Sequence, residues 1–155
     1  MNEAHLHLLL NHTPILGSLF GALLLLFAVL RRNDVLIRAG LLTLVAAAAL
    51  AIPTNLTGEG AEKVIQRLPG VSQDLIELHS AAADLALWAL EATAALALAS
   101  LLLLDRRPAA GTLLTRLTLA GALVSFGLMA RAGNLGGQIR HPETRGDALS
   151  NTLGK

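Results

Sequence analysis

The stretch over residues 79–104, HSAAADLALWALEATAALALASLLLL, decides the fold. It holds two carboxylates, Asp84 and Glu91, no basic side chain, and no charge at all from Thr93 to Leu104. A helix needs roughly 20 mostly apolar residues to cross a bilayer core, so this segment is long enough. A soluble amphipathic helix would place polar residues at every third or fourth position, which this one does not do. Three further stretches read the same way, at about 14–30, 35–52 and 112–130. The connections at 31–34 and 105–111 are too short for soluble domains. Leucine (38) and alanine (27) supply 65 of the 155 residues, and both favour helix. The expectation is an all-α, integral membrane four-helix bundle. It forms a single domain over 1–155, with an outer loop at 54–78 and an outer tail at 131–155.

Composition narrows the function. Without cysteine, disulfides, thiolate zinc sites, iron–sulfur clusters and covalent haem c are excluded. The net charge is +1 and no basic cluster exceeds the pairs Arg31-Arg32 and Arg106-Arg107, which argues against nucleic acid as a partner. Glu3, with no basic residue before the first apolar run, argues against a cleaved signal. Arg31, Arg32 and Arg38 lie between the first two spans, and Arg106, Arg107 and Arg116 between the last two. Basic short loops stay cytoplasmic. Both termini and the loop at 54–78 then share the outer, periplasmic side of a bacterial inner membrane. Within that loop, 60–68 reads as a short amphipathic helix and Pro69-Gly70 as a turn. Ser72 is a good N-cap for a helix entering the third span, reaching from about 73 to 104.

All five histidines, His5, His7, His12, His79 and His141, fall on that outer side and can converge. Histidine is the commonest protein metal ligand, although polar residues also gather at membrane edges without function. Haem b needs no cysteine, only axial imidazoles and an apolar slot. His12 and His79 are the preferred pair because they come from different helices at similar depth, and four-helix bundles house cofactors between facing side chains. His7 and His141 are alternative ligands or supporting groups. Gly17 and Gly21 could let a macrocycle approach the backbone, but their spacing equally fits small-x3-small helix packing. A zinc or copper site competes, drawing on His7, His12, His79 and His141 with Glu59 or Glu62, although Gly58 and Gly60 suggest a loop there. Ser80 beside His79 lacks a nucleophile setting. Asp84 and Glu91, seven residues apart, share nearly one helical face inside the membrane, where ionised carboxylates are costly. Arg131 is the expected partner of Asp84. The two carboxylates serve either a proton path beside a redox centre or quinone, or interhelical hydrogen bonds. Trp88 reads as a packing or interface residue.

These residues resemble a widespread bacterial family of small four-span membrane proteins, a domain of unknown function. The likeness covers nearly the whole chain. It rests on His7, His12, Pro14 and Ile15 in a His-x4-His-x-Pro-Ile entry to the first span, on His79 opening the third, and on Gly136, Gly137 and His141 after the fourth. The runs Leu56-Thr57-Gly58-Glu59 and 134–141 are similar to one recurring subgroup. Leu8 and Thr13 depart from the family's usual proline and aromatic residue. Fusion of relatives to Rieske or cytochrome c domains implies periplasmic electron transfer. With the histidines read as haem ligands, the expectation is a haem b-binding electron-transfer protein or subunit rather than a stand-alone enzyme. Its partners would be the lipid bilayer, a periplasmic cytochrome c, a Rieske protein or quinone, or a larger membrane complex. A cofactor-free structural subunit of a respiratory or photosynthetic complex is the third class.

Overall fold

A computed structural model describes residues 2–145. The helices are α1 (Glu3–Leu10), α2 (His12–Arg31), α3 (Asp34–Ile65), α4 (Gln73–Leu103) and α5 (Pro108–Arg140), followed by a 3-10 turn at Pro142–Thr144. Four segments are long and apolar enough to cross a membrane, α1 with α2 forming one of them. The all-α four-helix architecture expected from the sequence is the one observed. Asp147 and Lys155, counted with the outer tail, lie outside the described residues.

Neighbouring helices pack round a square, α2 on α3, α3 on α4, α4 on α5 and α5 on α2, and α1, in line with α2, packs against α3. The interior is lined by small side chains: Ala22, Ala47, Ala48, Ala51, Ala86, Ala97 and Ala122 are buried, with Leu25, Leu41, Leu44 and Leu90 between them. Large residues such as Phe20, Phe27, Leu30, Leu102 and Trp88 point outward. Lipid tails are as apolar as leucine, so burying a large side chain gains little in a membrane. Small residues win the interior because they let helices approach. At Gly17 an added Cβ would sit 2.6 Å from the Ala47 Cβ, and at Gly21 it would sit 2.6 Å from the Leu44 Cγ. This is the α2–α3 contact surface. The α4–α5 seam is joined by hydroxyls, Ser100 bonding Thr115 at 2.8 Å and the Gly111 carbonyl at 3.0 Å, and Thr93 meeting Ser125 at 3.1 Å.

Proline and caps set the ends. Pro14 has no N–H to give the Leu10 carbonyl, so that oxygen accepts from Thr13 Oγ1 (2.6 Å) and Thr54 Oγ1 (3.4 Å), a common repair in membrane helices. The chain crosses this point with little deviation, since Asn11 keeps right-handed helical angles and its N–H bonds the His7 carbonyl at 2.8 Å. Ser72 caps α4 as expected, its hydroxyl accepting from the Leu75 N–H. Gly70 turns the chain at φ +77°.

Two boundaries differ from the sequence reading. The long connection expected at 54–78 is confined to 66–72, because α3 runs unbroken through Pro53 to Ile65, so 60–65 is the end of a long helix rather than a separate one. Likewise α5 continues through Arg131 to Arg140, so the tail at 131–155 begins as helix. Both extensions have the same cause: they pack on α1 and α4 and bury Gly60, Ala61, Ala132 and Ile139. At 32 residues, α3 is roughly 48 Å long, against a hydrocarbon core of about 30 Å. The surplus walls a cavity at the end of the bundle opposite the arginine-bearing turns.

Candidate functional site

The cavity has a volume of about 530 Å³ and lies among α1, α2, α3, α4 and α5. His7, His12, His79 and His141 all line it, as do Glu59, Glu62 and Asp84, beside apolar Ile15, Ala51, Ile76, Leu87 and Met129. Four of the five histidines therefore share one space; His5 is exposed and outside the lining.

His7 and His79 are the two whose rings are held. His7 Nδ1 donates to the Thr54 carbonyl at 2.9 Å, and His79 Nδ1 donates to the Ala132 carbonyl at 2.8 Å. A carbonyl can only accept, so each Nδ1 carries the proton and the neutral ring presents its lone pair at Nε2. Neither Nε2 has a protein partner among the described residues. A backbone acceptor behind one ring nitrogen is the arrangement that orients an imidazole as a metal ligand. Each ring also rests against a glycine. A Cβ at Gly136 would lie 2.9 Å from His79 Cε1, and one at Gly58 would lie 3.4 Å from His7 Cε1.

The other histidines are less constrained. His12 lines the cavity but is exposed, and its side chain makes no hydrogen bond among the described residues. His141 sits at the rim with Nδ1 donating to Glu143 at 2.9 Å. Glu59 and Glu62 are three apart on α3, not in a loop, so both face the cavity; Glu62 accepts from Gln66 at 2.6 Å. Gly58 and Gly60 are tolerated in this helix because α1 crosses there, the Glu3 side chain lying directly over Gly60. Among the described residues, no three His, Asp or Glu side chains converge closely enough to hold a bare ion.

Some sequence-derived candidates lie apart from this site. Gly17 and Gly21 are filled by α3 and do not line the cavity, and Arg131 is exposed and also outside it. The expected Asp84–Arg131 ion pair is absent. The ion pairs among the described residues are Arg38–Asp105 and His141–Glu143. Asp84 instead lines the cavity, and Glu91, two turns deeper on nearly the same face, keeps a buried Oε1 without any partner. Asn11, at the cavity wall, has a buried Oδ1 that is also unpartnered. Sequence reasoning missed Asn11, Thr54 and Ala132. The adjacency of Asn11 to His12 was a usable signal; the two carbonyls carry none, because any residue supplies one.

Residues singled out in the sequence thus meet in space, His7 over Gly58 and His79 over Gly136. A family model described as Predicted membrane protein (DUF2231) matches residues 4–142. The chain belongs to this family. No curated protein and no solved structure matches it. The matched span takes in all four long helices and the residues that line the cavity.

Proposed function

We propose that this protein binds haem b in the cavity and passes electrons, with His7 and His79 as the residues that would hold the iron. The observation that carries the reading is the paired state of these rings: both Nδ1 atoms are tied to backbone carbonyls and both Nε2 atoms are free. Two such imidazoles suffice for a bis-histidine haem, whereas a bare zinc site requires three or four protein ligands. The donor set therefore fits haem better. Bound there, the group would supply one-electron transfer. The protein's part is to fix the ring tautomers through Thr54 and Ala132, to seat the rings on Gly58 and Gly136, and to shield the site with Ile15, Ile76 and Met129. His12, preferred from sequence, becomes a rim group beside this pair. Asp84 and Glu91 offer carboxyls along α4 from the cavity toward the bilayer midplane, suited to accompany electron transfer with a proton. A periplasmic cytochrome c, a Rieske protein or quinone is the partner class, and the cavity would face the periplasm of a bacterial inner membrane.

A second reading is a zinc or copper site on the same two Nε2 atoms, with Glu59, Glu62 and Asp84 lining the same cavity; it requires a third ligand to move in, since no three such side chains converge among the described residues. Protein purified from haem-replete cells distinguishes the readings. A reducible low-spin spectrum, lost in both His7→Ala and His79→Ala but retained in His5→Ala, is the expected result. Stoichiometric zinc or copper without such a spectrum would establish the second reading. Neither would leave a cofactor-free subunit of a larger complex.

A further inference from the structure

At the opposite end of the bundle, a crevice of about 290 Å³ opens between the α2–α3 turn and the α4–α5 turn, and Arg32, Arg116 and Thr112 line it. Six arginines lie near this end, Arg31, Arg32, Arg38, Arg106, Arg107 and Arg116, and of these Arg32 and Arg116 line the crevice. Arg31 stacks over the Phe27 ring at 5.2 Å, and Arg38 is paired with Asp105 at 2.6 Å. Arg32 and Arg116 have no carboxylate partner among the described residues, although Asp34 lines the same crevice. Its formal charge is thus +1, from two guanidinium groups and one carboxylate.

The backbone adds an independent observation. Arg32 closes α2 in the left-handed region, at φ 51° and ψ 47°, while the Asn33 N–H reaches the Ala28 carbonyl at 3.0 Å. Glycine is the usual residue at this position because it lacks the Cβ penalty. Arg32 is the one described non-glycine residue with positive φ, so here the fold accepts a strained cap and gains a guanidinium in the crevice. Strain of this kind concentrates at functional positions.

We infer that this crevice binds the phosphate of an anionic phospholipid headgroup, Arg32 and Arg116 meeting the phosphodiester and Thr112 donating from its hydroxyl. Guanidinium groups match phosphate oxygens in charge and geometry. Two features choose a lipid over free phosphate. The crevice lies where both short connections meet the membrane surface, and exposed Leu30, Val35 and Leu113 flank that end, 71%, 76% and 58% accessible, so acyl chains can lie against them. A single net positive charge suits a monoanionic headgroup and gives a zwitterionic one no net attraction.

The test uses the full chain in detergent, with native mass spectrometry and thermal melts in the presence of phosphatidylglycerol, phosphatidylcholine or inorganic phosphate. Phosphatidylglycerol is expected to be retained and to raise the Tm, and phosphatidylcholine is not. One basic side chain near an anionic lipid surface is worth about fivefold in affinity, so Arg32→Gly and Arg116→Gln should each weaken retention about fivefold, and the double variant roughly thirtyfold. Arg32→Gly also relieves the strained cap, so its lipid-free Tm should equal or exceed that of the parent. This separates lost binding from lost folding. Unchanged phosphatidylglycerol retention in the double variant, or equal retention of phosphatidylcholine, overturns the inference. Stabilisation by inorganic phosphate with none by phosphatidylglycerol overturns the lipid source.

Discussion

At the scale of single residues, the environment of each imidazole decides what it can do. At Gly136, alanine would press its Cβ on the His79 ring, 2.9 Å from Cε1, and rotate it off the Ala132 carbonyl. Losing one hydrogen bond costs about 1 kcal/mol, and exchanging glycine for alanine in a helix returns about 1 kcal/mol. Gly136→Ala should therefore keep nearly the parental Tm while losing cofactor, and full cofactor occupancy would count against the ring-seating role. Glu91 keeps a buried, unpartnered Oε1, and leaving such a group unsatisfied costs about 1–3 kcal/mol. Glu91→Leu is expected to raise the Tm, whereas a lowered Tm would mean the carboxyl has a stabilising partner.

At the scale of elements, helix pairs are held by close approach and by hydroxyl bonds. The α2–α3 contact depends on Gly17, where even a Cβ would overlap Ala47. Gly17→Ile must force these helices apart, and overpacking of this kind costs about 1–3 kcal/mol. A lowered Tm without loss of the His7 and His79 environment is expected, because Gly17 lies outside the cavity; an unaltered Tm would contradict the packing. The long ends of α3 and α5 show why a helix can outrun its apolar stretch. Thr54 and Thr57 satisfy carbonyls within α3, and α1 covers its glycines, so the element stays helical through residues that look like a loop one at a time.

At the scale of the whole molecule, charge is divided between the two ends, with paired and unpaired arginines at one and histidines with carboxylates at the other. Basic short loops favour the cytoplasm, so a reporter at Asn33 or Ala109 should be cytoplasmic and one at the C-terminus periplasmic; the reverse labelling would turn the cavity inward. The sequence by itself determined the four spans, the short turns at 31–34 and 105–111, and the Ser72 cap, since bilayer thickness and helix propensity act on consecutive residues. It also put His7, His12, His79 and His141 on one side, because antiparallel spans fix the side of every end. Only the tertiary structure decided which rings are held. His12 and His7 look alike in sequence, but α1 packs on α3 and brings His7 alone to the Thr54 carbonyl. Tertiary packing likewise turned Gly17 and Gly21 into helix contacts, and it left Asp84 in the cavity and apart from Arg131. Each of these depends on the rotation and crossing of whole helices, and pairwise packing across chain-distant residues sets that geometry.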